Sequence, residues 1–276
     1  MEPLVSVCIP AYNNEGTIEE TVRSVLAQTY NNLELVVVDD CSTDRTAALA
    51  EAFTDARVRV VRNEKNLGMA GNWNKCIEEA RGEFVKLLCA DDILYPDSIK
   101  EEAKGLASDP SIVLAMSDTA LIDITGKRVG TFKRWPVNGR MDGRKLAKRS
   151  LLFNNFFGAP CNNTFRRSAA LKAGGFDRRF RYILDFDFWV SLSCMGDVYI
   201  IHRFLNGFRL RHDSNTGEVM GSGEKGDAYI EEHKELVYKH AALHVLKLNR
   251  LQTSFSIWFR RVRSCVIHIY LKLFTK

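Results

Sequence analysis

Two periods of hydrophobic patterning alternate along the first hundred or so residues. Short apolar runs at residues 4–10, 33–40, 57–61, 84–89 and 111–117 read as strands. Between them, residues 17–29, 43–53, 69–80 and 96–107 have helical spacing. In the first of these segments Ile18, Val22, Val25 and Leu26 fall on one face, and Thr17 with Glu20 forms a capping box. Gly82 reads as the stop of the third helix, and Pro96 sits near the first turn of the fourth. This β-α order predicts an α/β fold, a mostly parallel sheet flanked by helices on both faces.

Beyond residue 118 the pattern loosens. Thr125 and Gly126 mark a hairpin, residues 142–153 a helix, and residues 160–168 a short mixed stretch. Residues 183–196 read as a helix opening with Asp185 and Asp187, followed by two late strands, 197–202 and 204–212. The expected division is an α/β domain over 1–213, a Gly- and Ser-rich mobile loop over 214–229 and a helical tail over 230–276.

Composition narrows the class. The 276 residues are 46% hydrophobic and 26% charged, as in a soluble globular protein. No apolar stretch is long enough for an ordinary spanning helix, and the N-terminus reads as a strand, not a signal peptide. Seven scattered cysteines with no CxxC pair suit reduced thiols in a cytoplasmic protein, not zinc or a disulfide framework. The formal charge of +5 is uneven. Eight basic residues and no acidic one follow Glu235, which leaves 31 basic against 34 acidic residues in the body.

In open α/β sheets ligands bind beyond the carboxyl ends of the strands. Those ends carry Pro10, Ala11 and Tyr12, then Asp39 and Asp40, then Asp91 and Asp92. Adjacent carboxylates at a strand end suit a hard divalent cation, Mg²⁺ or Mn²⁺, that also holds a diphosphate. The other reading is a solvated turn before a helix. Asp39 and Asp40 either cap the helix near Ser42 and Thr43 or, with Tyr12, hold an aromatic base by an acceptor and a stacking ring. No GxxxxGK[ST], strand-anchored GxGxxG or GxSxG motif occurs, which favours a metal over a glycine-rich phosphate loop.

The segments VSVCIPAYNNEGTIEETVRSVLAQTYNNLELVVVDDCSTDRT and NEKNLGMAGNWNKCIEEARGEFVKLLCADDILYPDSI resemble a family-two inverting glycosyltransferase of the GT-A fold. The likeness is dense over about residues 4–100 and thinner to about 213. It implies a nucleotide-sugar donor, commonly a UDP-sugar. Pro10, Ala11 and Tyr12 would line the nucleoside pocket, Asp40 would bind the base and Asp39 would support it. Asp91 would sit near the ribose or sugar, and Asp92 would bind the metal. Where many members have the first Asp of a DxD, this chain has Cys89.

The resemblance also matches Asp185 to the base that takes the acceptor proton, the alternative being a first-turn acid that favours the helix dipole, which is the reading for Asp187. His212 resembles a late His that supports the metal–diphosphate, or is structural. Arg209 or Arg211 contacts phosphate or is solvated. Asn162 and Asn163 touch the acceptor or form a polar turn. The implied reaction is metal-assisted sugar transfer to a hydroxyl of a glycan or lipid-linked glycan in surface polysaccharide assembly. The competing reading is a catalytically silent scaffold of the same fold that binds nucleotide-sugar or glycan. A sugar nucleotidyltransferase would carry a glycine-rich, basic loop after the first strand, and PAYNNEGTIEE is not one.

Residues 251–274 place Leu251, Phe255, Trp258, Phe259, Val262, Val266, Ile269, Tyr270 and Leu273 at steps of three or four, with arginines and lysine mostly off the stripe. A basic, aromatic amphipathic helix suits a membrane interface. Packing on the body or on a second subunit is the alternative. Basic residues interleaved with a hydrophobic stripe do not suit nucleic acid. The expected location is cytoplasmic, peripheral at the inner face of the cell membrane.

Overall fold

The computed structural model describes residues 2–133, 137–211, 223–243 and 245–274, with backbone alone for 223–225 and 263–274. The first half follows the expected alternation: β1 (Val5–Ala11), α1 (Ile18–Leu26), β2 (Leu33–Asp39), α2 (Thr46–Glu51), β3 (Val58–Arg62), α3 (Gly68–Glu79), β4 (Phe84–Leu87), a short β5 (Ile93–Leu94) and α4 (Ser98–Ala107). Next come β6 (Ile112–Ile122), β7 (Arg128–Phe132), β8 (Gly139–Met141), α5 (Gly143–Leu152), β9 (Asn163–Arg166), α6 (Arg167–Ala173), α7 (Leu184–Ser193) and β10 (Asp197–Arg209). Two helices close the chain, α8 (Gly223–Ala242) and α9 (Arg250–Phe274).

The ten strands among the described residues join one sheet, in the order β3-β2-β1-β4-β9-β6-β10-β5, with β7 on β6 and β8 on β10. The β3-β2-β1-β4 portion is parallel, as is the β6–β10 pair, and antiparallel strands fill the remainder. One apolar core packs α1 and α4 against one face, and a second packs α3, α5, α6 and α7 against the other.

Local signals were overridden in several places. The two expected late strands are one strand, β10, bent by register shifts between Ile201 and Asn206, because it pairs with β6 along its whole length. Residues 160–168 hold a single 3-10 turn and β9, which inserts between β4 and β6. The expected mobile loop is helical from Gly223 onward, while residues 214–222 lie outside the described residues. The capping box does not form. Thr17 Oγ1 donates instead to Ala90 O at 2.8 Å, and Glu20 receives Arg209 Nη2 at 2.6 Å. Thr17 binds the loop after β4 and Glu20 binds the end of β10, distant partners that outcompete the local cap.

Gly82 does not stop α3, which ends at Glu79. Its place is set by close approach. A Cβ there would lie 2.6 Å from Ser6 N, 2.7 Å from Leu4 O and 2.8 Å from Phe84 O, all backbone atoms of β1 and β4 or their flanks. Gly82→Ala is therefore expected to cost about 1–3 kcal/mol, read as a lower urea midpoint at unchanged slope.

Candidate active site

The parallel register aligns the carboxyl ends of the strands. Ala11 pairs with Asp39, and Asp39 with Arg62. Asp40 N continues the ladder by donating to Ala11 O at 2.8 Å, and Leu88 N donates to Cys8 O. Tyr12, Asp40 and the loop after β4 therefore leave the sheet at one edge. Pro10 and Ala11 are buried beneath it.

Two loops are stitched together here. Asn13 N donates to Ser42 Oγ, and Thr43 N donates to Asn13 Oδ1. Asn13 and Cys41 adopt left-handed φ of 54° and 64°, a conformation that Asn tolerates better than most residues. The stitching holds Tyr12 beside the Asp39–Asp40 turn with its ring 49% exposed, open to a stacking partner.

Asp40 is buried, and both of its described hydrogen bonds, from Asn63 Nδ2 and Leu67 N at 2.8 Å each, use Oδ1. Asn72 orients Asn63 by accepting from Nδ2 at 3.0 Å while donating to Val38 O. Asp39 accepts from Ser42 N through Oδ2, and its Oδ1 is buried without a partner. It shapes the turn and does not cap α2, which begins at Thr46. Asn63 and Asn72 were missed in the sequence, where they are two among several asparagines near α3 and carry no motif of their own.

The second pair divides differently. Thr21 Oγ1 donates to Ala90 O and Asp92 O, tying the loop to α1. Asp92 is buried. Its Oδ1 accepts from Arg209 N at 2.9 Å, and its Oδ2 is buried without a hydrogen bond, with the Cys161 thiol beside it. Burial first, then the charge of Asp91, pushes the Asp92 carboxyl well above the usual range. Asp91 is more open and lies 4.0 Å from Arg211.

Arg209 is neither solvated nor open to phosphate. It is buried, and its guanidinium donates to the carbonyls of Asp91, Asp123 and Ile124 and to Glu20. It clamps the loop that carries both aspartates. His212 lies outside the described residues.

Cys89 stands among the carboxylates. Burial, then the charges of Asp92, Asp91 and Asp185 in that order, holds its thiol well above the usual range. It is therefore a neutral group at neutral pH. The charge of Asp185, at the start of α7, thus reaches the loop after β4. Asp185 accepts from Phe186 N at 2.8 Å, and burial pushes its carboxyl up to about 7, outweighing the hydrogen bonds that favour the charged form. A carboxyl poised near neutrality suits a general base.

Asp187, two residues on, faces away from this chemistry. Its two oxygens meet Lys239 Nζ at 2.7 Å and His240 Nε2 at 3.0 Å, so it fastens α8 to α7. Asn162 and Asn163 are fully buried and donate to Phe157 O; Asn163 also donates to Ala159 O. They form an internal turn and not an open acceptor surface.

Among the described residues no group of three or more His, Cys, Asp or Glu side chains is arranged to hold a metal on its own. Two adjacent carboxylates, one with an orphaned buried oxygen, nevertheless fit a hard cation whose remaining ligands come from phosphate and water.

The sheet with helices on both sides, its open aromatic ring and paired carboxylates at one edge, matches the GT-A fold of solved glycosyltransferases. Residues 6–173 match the model for glycosyl transferase family 2, and the chain belongs to that family. An uncharacterized glycosyltransferase of Rickettsia typhi is 31% identical over 229 residues, covering 82% of this chain and 70% of that one. The crystal structure of S. aureus TarS 1-349 in complex with UDP-GlcNAc superposes with a TM-score of 0.71 at 20% identity, covering 92% of this chain and 71% of that one. The mannosyltransferase PcManGT from Pyrobaculum calidifontis, in complex with GDP-Man and Mn²⁺, gives 0.61 at 18% identity, covering 100% and 88%.

Proposed function

We propose that the chain moves a sugar from a nucleotide-sugar donor, a UDP-sugar in the first instance, onto a hydroxyl of a glycan or lipid-linked glycan with inversion at the anomeric carbon. The observation that carries this reading is the delivery of Tyr12, Asp40 and the loop that bears Asp91 and Asp92 to one carboxyl edge of the parallel sheet. Tyr12 stacks on the base, and Asp40 accepts its ring N–H. Asp91 and Asp92 would hold Mg²⁺ or Mn²⁺. The bound cation would stabilise the departing diphosphate.

Asp185 takes the proton of the acceptor hydroxyl as its oxygen attacks the anomeric carbon. The bond from that carbon to the diphosphate oxygen breaks on the opposite face, and the nucleoside diphosphate leaves. Asp91 would be the more accessible of the two, and Asp92 would offer the oxygen to which Arg209 N does not donate. Surface polysaccharide assembly is the proposed setting, at the cytoplasmic side of the membrane.

Calorimetry tests the site. UDP, GDP, dTDP and CMP are each titrated with and without Mn²⁺. The expected result is Mn²⁺-dependent UDP binding that Asp91→Ala weakens by at least about tenfold, as does Asp92→Ala. Absence of nucleotide binding by the folded protein would favour the silent-scaffold reading, with Cys89 in place of a carboxylate as its cause.

A further inference from the structure

The C-terminal helix α9 packs with its polarity reversed. The side chains it buries are polar: Thr253 is 9%, Ser256 1% and Arg260 5% exposed. Those it turns outward include Leu251 at 82%, Trp258 at 56%, Val262 at 41% and Phe255 at 38%. A surface helix that folds onto its own protein does the opposite, burying its apolar stripe. The buried face is satisfied by specific bonds. Ser256 Oγ donates to Leu151 O at 2.6 Å and lies 3.0 Å from His233 Nε2. Arg260 meets the hydroxyl of Tyr229. Burial, then the charge of Arg260, lowers the His233 imidazole to about 3, so His233 is neutral there.

The outward side chains form one patch. Phe153, from the end of α5, meets Phe255 at 5.8 Å and Phe259 at 6.1 Å between ring centroids, and Phe255 meets Trp258 at 6.1 Å. The helix backbone spans 25 residues, about 37 Å at 1.5 Å per residue. Beyond Val262 the sequence continues the same spacing with Val266, Ile269 and Leu273.

Charge selects the occupant. Lys247, Arg250 and Arg261 are exposed along this segment, Arg261 beside Glu231, and the sequence has no acidic residue after Glu235. Among the described residues no helix is long and apolar enough to cross a membrane. An apolar, Trp-bearing stripe whose own helix carries cations and no acid suits the boundary between acyl chains and anionic headgroups.

We infer that the outward face of α9, with Phe153, docks in plane on an anionic lipid bilayer. The docked helix is coupled to α7, since the guanidinium of Arg260 lies 5.9 Å from the ring centroid of Phe186, the residue after Asp185. Docking therefore holds the helix that bears the base directly behind α9, on the side of the protein where a lipid-linked acceptor would be presented. That consequence rests on the glycosyl-transfer reading; the docking itself does not.

Flotation of the full chain with vesicles tests it. Phosphatidylcholine vesicles are compared with vesicles that also contain phosphatidylglycerol, at low and high salt. The paired substitution Leu251→Ser with Trp258→Ser alters exposed positions only, and thermal unfolding checks that it folds. The expected outcome is binding to the anionic vesicles that salt weakens and that the pair of substitutions reduces by about tenfold or more. Failure of the wild type to float would overturn the proposal, as would equal flotation of the variant. A dimer by light scattering that the same substitutions disperse, without vesicle binding, would assign the patch to a second copy. Calorimetric UDP binding is measured on both proteins, so loss of docking with binding intact, or the reverse, shows which reading has failed.

Discussion

Asp185→Asn is expected to lower kcat by about 10²–10⁴-fold while leaving UDP binding within a factor of about two, because the amide keeps the shape but cannot accept a proton. The wild type should show the matching pH dependence. Burial sets the Asp185 carboxyl at about 7. Only the deprotonated form acts as base, so activity rises through neutrality and falls about tenfold per pH unit below it. The variant should lose that limb. A profile flat between pH 5 and 7 in the wild type, or an Asn variant within about threefold of it, would remove Asp185 from the mechanism and leave it as a first-turn acid. Conservative change at Asp187 tests the contrast. Asp187→Asn should act on the unfolding midpoint, through Lys239 and His240, and not on the pH limb.

The second large effect concerns an ion pair buried between β4 of the sheet and α4. Lys86 Nζ sits 2.5 Å from Glu102 Oε2, and both side chains are fully buried. Glu102 also accepts from Thr164 Oγ1 and from Ser117 Oγ. Asn206 Nδ2 donates to Ser117 Oγ at 3.0 Å, and the Cys161 thiol meets Asn206 Oδ1 at 3.5 Å, next to Asp92. The network thus joins α4, β4, β6, β9 and β10 directly beneath the carboxylate pair. Glu102→Ala would strand a buried ammonium and remove the carboxylate that accepts from Thr164 Oγ1 and Ser117 Oγ. The expected cost is about 3–5 kcal/mol, a large share of the roughly 5–15 kcal/mol that holds a domain folded. Replacing both partners, Lys86→Met with Glu102→Leu, should cost much less than Glu102→Ala, since no charge is then stranded. Urea unfolding reads both. A single-variant cost below about 1 kcal/mol would show that water reaches the pair.

Much of the architecture was legible because its signals are local. Hydrophobic periodicity marks β1 to β4 and α1 to α4, since each element must bury one face or both, and that requirement is written residue by residue. The positions of Tyr12, Asp40, Asp91 and Asp92 at strand ends follow from the same alternation. Asp185 was singled out by its likeness to a family pattern. The reversed polarity of α9 was half legible: the stripe is plain in the sequence, but which side it turns to the body is not.

What the sequence determined by itself is therefore the order and kind of elements and the edge to which the carboxylates are delivered, because short-range sterics and burial act within a few residues. Only the tertiary structure decided how those carboxylates are used. Asp187 became a fastener because α8 returns with Lys239 and His240. Arg209 became a clamp and not a phosphate ligand because β10 runs beside the loop after β4. Thr17 and Glu20 gave up a local cap for partners 73 and 189 residues away. In each case a buried charge or hydroxyl must find a partner wherever the chain returns, and that return is a property of the whole sheet and not of any segment.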